Sequence, residues 1–473
     1  MSLQFITGGS GAGKSEYLSR LVCEESVRRP HDNFIVVVPE QYTMETQKKL
    51  VHMHSRKGIL NIDVVSFERL AYKVFEELGG GNRPVLDDTG KNLIVRRVLE
   101  KEKKKLDYFG SSIEKTGFVS ELKSVISELL QYGITPQQLG EIGENVKEKQ
   151  QLSAKLKDIR LVYKEFMAFL STNYITSEEI LDVLCGLVEK SKLIAGSEII
   201  FDGFTGFTPI QYKLMRLLLV YSKSIKISVT IDKKERPTGH EGWNNLFFMS
   251  KEMMNRLIAI CEEEGINVDD TVCVDRDINY RYEGAKDLAY LERNLFRYKG
   301  GVYTGTPENI RIYEGSNPKE ELQYIVSEIL QLTRKEGFRY RDIAVVTADL
   351  ETYGKVAANM MKQNDIPAFL DYKRSVASNP YVEMLCSALE IVEKGYPYDT
   401  MFRYLRTGLT GISRHDIDML ENYCLAVGIR GSRAWHEPWK KKMKRSTYQP
   451  ELETLNALRE QIMAPFLNLE AVL

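Results

Sequence analysis

A glycine-rich stretch near the start of the chain constrains its fold more than any other feature. Residues 8–15 are G-G-S-G-A-G-K-S and match the phosphate-loop pattern G-x-x-x-x-G-K-[ST]. The glycines let backbone N–H groups converge on phosphate oxygens because no Cβ stands in the way. Lys14 would reach the β- and γ-phosphates of ATP, and Ser15 would ligate Mg²⁺. The pattern therefore predicts that the phosphates are bound by Gly8, Gly9, Ser10, Gly11, Ala12, Gly13, Lys14 and Ser15.

The segments around this loop alternate between strand and helix patterns. A short apolar run at residues 3–7 leads into the loop, and apolar residues at helical spacing follow at 16–28. The run at 34–38 is mostly β-branched, which is typical of a parallel strand covered on both faces. A third strand is predicted at 62–66. This alternation predicts an α/β fold, here a phosphate-loop (RecA-like) domain with a parallel sheet.

The pattern becomes almost wholly helical after a glycine-rich stretch at residues 79–84. Strand patterns return at 198–202 and 225–231. The helical part therefore interrupts the first α/β domain and does not simply follow it. We predict an all-helical insertion at 85–195 and a first RecA-like domain formed by residues 1–84 and 196–300.

A second α/β unit is predicted after a glycine-rich linker at residues 300–307. Apolar residues at i, i+3, i+4, i+7 and i+8 mark a helix from Leu322 onward. Helical patterns dominate again from Pro380, and the last of them ends without a stop signal. We expect residues 301–473 to form a second, truncated RecA-like domain with helical additions and with strands at 310–313, 342–347 and 366–371.

A phosphate loop needs an acidic group at the end of a neighbouring strand. Asp202 closes the apolar run at 199–201 and fits the carboxylate that organises Mg²⁺. Hydrolysing helicases usually carry Glu at the next position, where it positions the attacking water, whereas this chain carries Gly203. The sequence thus predicts Mg²⁺ binding through Ser15 and Asp202, with weak or absent hydrolysis and no certain catalytic residue.

Composition narrows the class of protein. The net charge is −1 at pH 7, the six cysteines form no C-x-x-C pair, and the scattered histidines predict no metal site. No stretch approaches the ~20 apolar residues of a membrane span. The early phosphate-loop signature leaves no room for a signal peptide, so a cytoplasmic protein without membrane contact is expected.

The basic run at residues 440–445 is interpreted as a solvated face, with phosphate contact as the alternative.

The length of sequence between Lys14 and Asp202 helps to distinguish nucleotide kinases from helicases among phosphate-loop proteins. Small nucleotide kinases place the two sites much closer, whereas superfamily 1 helicases put a large helical domain between them. The sequence therefore favours a helicase-like protein that binds DNA and nucleotide. Three alternatives stay open: a self-sufficient superfamily 1 DNA helicase, a phosphate-loop nucleotide kinase or transferase, and a non-enzymatic scaffold.

Four further stretches match motifs of known proteins. V-P-E-Q-Y-T at 38–43 follows the second predicted strand, where superfamily 1 helicases carry motif Ia. V-S-F-E-R-L-A at 65–71 resembles the S-F-x-R-L-A stretch of the AddB-type family of ATP-dependent helicase/deoxyribonuclease subunits. F-D-G-F-T-G-F-T-P at 201–209 resembles the D-G-F-x-x-F-T-P stretch that replaces the helicase Asp-Glu box. Two later stretches resemble the start of a second helicase domain, D-I-A-V-V at 342–346 and N-D-I-P at 364–367.

The resemblance implies a subunit of an AddAB-type complex that resects double-stranded DNA ends before recombination. Its partner would be an AddA-type motor and nuclease subunit, and its substrates would be double-stranded and single-stranded DNA. The helicase-like half would grip the single strand and read a recombination hotspot. Aromatic faces stack on unpaired bases, and Arg or Gln can contact phosphates or base edges. The residues implied to face that strand are Gln41, Thr43, Phe67, Arg69, Tyr72, Phe204 and Phe207.

The chain also departs from the pattern of active helicases. Almost nothing precedes the first strand, where a glutamine motif would clamp adenine, and the expected motif IV arginine position falls at 347–349, which reads T-A-D. No later helicase motif, no arginine finger and no nuclease motif is recognised before Leu473. The four-cysteine iron–sulfur framework of full-length relatives is not recognised either. Nuclease activity and cluster binding are therefore expected outside this chain.

Overall fold

The structure is a computed structural model that describes residues 1–473 apart from a few short stretches. These stretches are residues 80–83, 114, 116, 147, 177, 236–241, 298–299, 372–375, 444–450 and 472–473, together with the side chains of 171–173. The chain divides into two compact units, Met1–Arg311 and Ile312–Leu473. Among the described residues, no helix is both long enough and apolar enough to cross a membrane.

The first unit contains strands β1–β9 and helices α1–α12. The strands are β1 Ser2–Gly8, β2 Asn33–Val37, β3 Ile62–Val65, β4 Val85–Leu86, β5 Ile175–Thr176, β6 Ser197–Phe201, β7 Ser224–Thr230, β8 Asn267–Val268 and β9 Val272–Cys273. The helices are α1 Lys14–Arg28, α2 Thr43–Met53, α3 Phe67–Leu78, α4 Asp88–Glu102, α5 Phe118–Gln131, α6 Pro136–Asn145, α7 Gln150–Asn173, α8 Ile180–Cys185, α9 Lys192–Ala195, α10 Pro209–Tyr221, α11 Phe248–Glu264 and α12 Lys286–Asn294.

The main sheet of the first unit is parallel and has the strand order β3-β2-β6-β7-β1-β8, with β9 also paired to β1. Its two faces are covered by separate apolar clusters. Val37 and Ile199 belong to one cluster, whereas Val36 and Ile200 belong to the other. Burial on both faces explains why these strands read as continuous apolar runs. The predicted α/β class and the five strand positions from the first unit are confirmed.

Helices α4–α7 form a layer with its own apolar core, which includes Val95, Leu99, Val162 and Phe166. A buried carboxylate fixes the chain that follows α4. Asp158, which is 1% exposed, accepts hydrogen bonds from the backbone N–H groups of residues 107, 108 and 109 at 3.1, 2.8 and 2.9 Å. Three donors in one place make this aspartate the polar anchor of the layer, because a buried N–H without a partner is costly.

Replacing Asp158 by alanine is expected to lower the free energy of unfolding of this layer by about 3 kcal/mol, because three N–H groups lose their acceptor and the one of Phe109 is buried. Hydrogen exchange of the amides of α4–α7 measures the effect. Asp182→Ala is the control, because the side chain of Asp182 is 59% exposed and contacts Lys213. Equal exchange rates in the two variants would contradict the anchoring role.

The second unit contains helices α13–α19 and has two apolar cores. The helices are α13 Pro318–Lys335, α14 Leu350–Gln363, α15 Pro380–Glu393, α16 Tyr398–Leu405, α17 Arg414–Val427, α18 Ser432–His436 and α19 Leu452–Glu470. Leu322 and Val326 of α13 pack with Met360 and Met361 of α14, whereas the second core surrounds the buried Trp435. Residues 440–442 of the predicted basic run are exposed, and 444–445 lie outside the described residues.

The strands predicted in the second unit are not formed, which corrects the sequence interpretation. Residues 310–313, 342–347 and 366–371 contain no paired strand in the part of the chain that the structure describes. Several of their apolar side chains remain open to solvent, with Ile312 96%, Val346 91% and Phe369 90% exposed, whereas Ile366 is buried. A parallel strand exists only when a neighbour pairs with it, and the described segments find none. The predicted second α/β domain is therefore not confirmed.

Candidate nucleotide-binding site

The phosphate loop connects the end of β1 to the start of α1. Gly11 and Gly13 have φ values of 71° and 94°, in the left-handed region that favours glycine. Helix α1 has no side-chain cap at its N-terminus, so its first N–H groups are not bonded by a cap. A helix N-terminus with free N–H groups attracts anions. The local geometry therefore fits the phosphates that the motif predicts.

Lys14 folds back onto the first two residues of the loop. Its Nζ donates hydrogen bonds to the carbonyl oxygens of Gly8 and Gly9, both at 2.9 Å. Burial lowers the pKa of Lys14, and the carboxylates of Asp202 and Asp275 act in the opposite direction. The ammonium group thus lies at the Gly8 end of the loop, within the field of two carboxylates.

Asp202 follows β6 and lies at the same edge of the sheet as the loop. One strand, β7, separates β6 from β1, and it supplies the partner of the carboxylate: the hydroxyl of Ser228 donates to Asp202 Oδ1 at 2.6 Å. The Ser228 hydroxyl in turn accepts from the backbone N–H of Gly203 at 3.3 Å. A carboxylate fixed in this way, together with the Ser15 hydroxyl, provides the hard oxygen ligands that Mg²⁺ prefers.

Gly203 has a φ of 84°, so the backbone turns directly after Asp202 in a conformation that a glutamate would adopt only under strain. The chain thus carries a glycine turn where a glutamate would follow Asp202, and this turn leads to Phe204.

A segment that sequence analysis did not single out lies against the loop. Asn279, 3% exposed, donates to the Ser10 carbonyl at 3.2 Å, and the guanidinium of Arg281 donates to the Ser10 hydroxyl at 3.4 Å. A Cβ on Gly11 would stand only 2.5 Å from the Cβ of Arg281, so glycine is required at this contact as well. Arg281 thus places a cation beside the loop, in a sequence context where no arginine motif was recognised.

Two carboxylates, those of Asp275 and Glu292, also lie near the phosphate loop. Asp275 Oδ1 is buried without a hydrogen-bond partner among the described residues. The Glu292 carboxylate on α12 also lies beside the loop, with Oε1 3.3 Å from the place that a Cβ on Gly9 would take. Most of the first unit's sequence separates these groups from the loop, and no short motif marks them. Only the pairing of β9 with β1 brings their segment to this end of the sheet.

The residues implied to face single-stranded DNA divide into an exposed and a buried set. Gln41 and Arg69 are exposed after β2 and β3, and Tyr72 is 39% exposed. Arg69 is held by Glu40, with Nε 3.1 Å from Oε1. Thr43 is 5% exposed, and its hydroxyl donates to the Glu40 carbonyl.

The aromatic residues of this group form one cluster. Phe67 is 8% exposed, and its ring centroid lies 5.4 Å from that of Phe204 and 6.0 Å from that of Phe207. Phe204 and Phe207 are half-buried and pack against the same core. The side chains of Phe67 and Thr43 are therefore too buried to contact a base. They pack beneath the exposed residues of this group.

The part of the chain that the structure describes holds no group of three His, Cys, Asp or Glu side chains arranged to bind a metal ion. Mg²⁺ with a nucleotide needs fewer protein ligands, because the phosphates supply the others. Ser15 and Asp202 fit that smaller role.

The parallel sheet, the phosphate-loop sequence after β1 and the aspartate after β6 define an α/β protein whose fold is consistent with a Rossmann-like or RecA-like type. Residues 5–292 match the family described as ADDB, N-terminal. The chain belongs to this family.

Similar proteins carry one name across several organisms, that of the B-type subunit of an ATP-dependent helicase/deoxyribonuclease. The chain is 42% identical over 469 residues to this protein of Lachnoclostridium phytofermentans, covering 98% of the chain and 41% of that protein. It is 36% identical over 476 residues to the Caldanaerobacter subterraneus protein of the same name, covering 98% and 40%, and 33% identical over 475 residues to that of Clostridium novyi, covering 100% and 41%. The chain thus spans about two fifths of the length of these relatives.

Proposed function

We propose that this chain is the nucleotide-binding, helicase-like part of the AddB-type subunit in an AddAB-type complex that resects DNA double-strand breaks. One observation carries the proposal of nucleotide binding. Helix α1 begins behind the loop with no side-chain cap, and Lys14 and Asp202 lie together at this edge of the sheet. ATP with Mg²⁺ is the proposed ligand. The protein would work within an enzyme complex that has helicase and deoxyribonuclease activity, as the names of its relatives describe.

Calorimetric titration of the purified chain with ATP and MgCl₂ tests the nucleotide part directly. We expect saturable binding of one nucleotide per chain. Absence of binding would reject this proposal and favour a scaffold with a vestigial loop.

Hydrolysis by this chain is proposed to be weak or absent. Gly203 occupies the position of the water-positioning glutamate, and its left-handed φ of 84° is one that a glutamate would adopt only under strain. Preorganised groups that orient the attacking water and stabilise the developing charge account for most of the acceleration of phosphoryl transfer. Nucleotide would then act here as a ligand that stabilises one conformation.

Single-stranded DNA is proposed to lie over the carboxyl ends of β2, β3 and β6. Gln41, Arg69 and Tyr72 are exposed there, and Phe204 and Phe207 offer half-buried rings. Unpaired bases stack on aromatic faces, and Gln and Arg can read base edges. This surface is the proposed place of hotspot recognition, whereas the partner, an AddA-type subunit, would supply the main motor. The nuclease domain is proposed to lie outside this chain.

The domain arrangement is also proposed on sequence grounds. Residues 1–84 and 196–300 would form the first RecA-like domain and 85–195 its helical insertion, with residues 301–473 belonging to the second helicase-like half. The distinct apolar core of α4–α7 supports the insertion.

A self-sufficient superfamily 1 helicase is the second candidate, because Arg281 lies beside the loop and two carboxylates stand close to it. These are groups of the kind that hydrolysis requires. ATP turnover by the isolated chain separates this candidate from the first.

Replacing Arg69 by alanine is expected to weaken single-stranded DNA binding by the reconstituted complex about tenfold, or about 1.4 kcal/mol. The reason is the loss of a base-edge or phosphate contact that Arg69 can make when it leaves Glu40. Fluorescence anisotropy with a labelled oligonucleotide measures the affinity, and a titration with salt distinguishes the two kinds of contact.

The matched control is Arg96→Ala, because Arg96 is 68% exposed and also pairs with one carboxylate, that of Glu100. Equal loss in the two variants would reject the assignment of Arg69 to the DNA surface.

A further inference from the structure

The carboxylate of Glu292 occupies an unusual position for an anion-binding site. The Ser10 N–H, which belongs to the phosphate loop, is near enough to this carboxylate to favour its charged form. Its Oε1 lies 3.3 Å from the place that a Cβ on Gly9 would take. A negative group therefore touches the loop whose function is to hold negative phosphates.

The position of Lys14 indicates which phosphate this carboxylate faces. Lys14 Nζ contacts the carbonyls of Gly8 and Gly9, and a phosphate-loop lysine reaches the β- and γ-phosphates. The distal end of a bound polyphosphate therefore lies towards the Gly8–Ser10 side of the loop, which is also the side of Glu292. The proximal phosphates lie towards the N–H groups of α1.

Charged groups of both signs lie on this side of the loop. Asp275 Oδ1 lies 3.4 Å from the same Cβ place on Gly9 and has no hydrogen-bond partner among the described residues. Burial raises the pKa of Glu292, the charges of Asp275 and Asp232 act in the same direction, and the Ser10 N–H and Arg297 oppose them. Arg297 is paired with Asp232, with Nη2 3.6 Å from Oδ2. Arg281 and Lys14 are the cations that an arriving phosphate would meet.

Helix α12, which carries Glu292, is fixed near both of its ends. Asp287, 4% exposed, accepts from the backbone N–H groups of Glu308 and Asn309 at 2.9 and 2.7 Å. Towards the other end, Arg293 donates to the Arg276 carbonyl at 2.7 Å. Because the helix is fixed in this way, the carboxylate can avoid a third phosphate only by rotating its own side chain away from Ser10.

We propose that Glu292 is a specificity-determining residue that disfavours the third phosphate, so that the loop binds a nucleoside diphosphate at least as tightly as a triphosphate. The inference rests on the proposed nucleotide site. Repulsion between the carboxylate and the distal phosphate adds to the energy of the triphosphate complex and hardly affects the diphosphate complex, because Coulomb energy falls with distance. The site would then retain the diphosphate and respond only weakly to the triphosphate.

Glu292→Gln tests this proposal because glutamine keeps the size and the polarity of the side chain and removes its charge. Calorimetry on the 473-residue chain with Mg²⁺ gives the Kd of ADP and of the non-hydrolysable triphosphate adenylyl imidodiphosphate. We expect the triphosphate to bind about tenfold more tightly to the variant, and ADP affinity to change less than about threefold. The ratio of the two Kd values is the readout that a merely structural role would not shift.

Glu262→Gln, an exposed carboxylate on α11, is the control and is expected to leave the ratio unchanged. Because a ratio does not depend on the folded fraction, Glu292→Ala should shift it in the same direction even if that variant folds poorly. An unchanged ratio with Lys14-dependent binding would overturn this inference and leave the proposed nucleotide site intact. No binding of either nucleotide by any variant would overturn both.

Discussion

Lys14→Ala is expected to abolish nucleotide binding, with a loss of at least about 100-fold in affinity, or about 2.7 kcal/mol. Lys14 is the residue of the loop whose charge reaches the β- and γ-phosphates, and its Nζ already lies at the Gly8 end of the loop. Its removal leaves Asp202, Asp275 and Glu292 without their shared cation, so repulsion of the phosphates adds to the lost attraction. Titration calorimetry with ATP and Mg²⁺ measures the change.

The control for Lys14 is Lys213→Ala, an exposed lysine on α10 whose partner is Asp182. It should bind ATP like the unmodified chain. Circular dichroism of both variants checks the fold, which is expected to persist because Lys14 contributes two hydrogen bonds to loop carbonyls and no part of the apolar cores. Unchanged ATP affinity in Lys14→Ala would reject the phosphate-loop assignment.

ATP turnover by the purified chain is expected to stay below about 0.01 per second, at least a hundredfold under the ~1–100 per second of typical kinases. Addition of single-stranded DNA should not raise it. The physical reason is the turn at Gly203, which leaves no carboxylate directly after Asp202 to orient water. Phosphate release, measured beside ATP binding on the same preparation, gives the answer.

Brisk turnover that single-stranded DNA stimulates would contradict this expectation and support the self-sufficient helicase. Another residue would then supply the base, and the carboxylates of Asp275 and Glu292 are the ones to replace first because both lie beside Gly9. Arg281→Ala would show in the same assay whether its guanidinium contributes to turnover. Binding without turnover would instead support a site that senses nucleotide or locks one conformation.

The relation between sequence and structure differs between the two units. In the first unit, β2 and β6 were recognisable because strands buried on both faces must be apolar throughout. In the second unit, apolar runs of the same kind remained unpaired, as at Val346 and Phe369. A strand is not a local structure, because its backbone groups require a partner strand. An apolar run therefore predicts a strand only where the fold supplies that neighbour.

For the proposed DNA surface, residue type likewise did not predict which side chains are exposed. The resemblance pointed to Thr43 and Phe67 together with Arg69 and Tyr72. Residue type alone could not separate them, because Thr and Phe suit both a core and an interface. The helix start at Thr43 and the aromatic cluster around Phe67 turn these two side chains inward, whereas Arg69 stays outside with Glu40.

The sequence by itself determined the α/β class, the phosphate loop at residues 8–15 and the aspartate at the end of a buried strand. These features depend on local chemistry, since glycine conformations, a lysine and a strand end are all specified within a few residues. Only the tertiary structure decided that Ser228 holds Asp202 and that Asn279, Arg281 and Glu292 lie against the loop. These contacts depend on which strands are neighbours in the sheet, and strand order is set by packing over the whole unit.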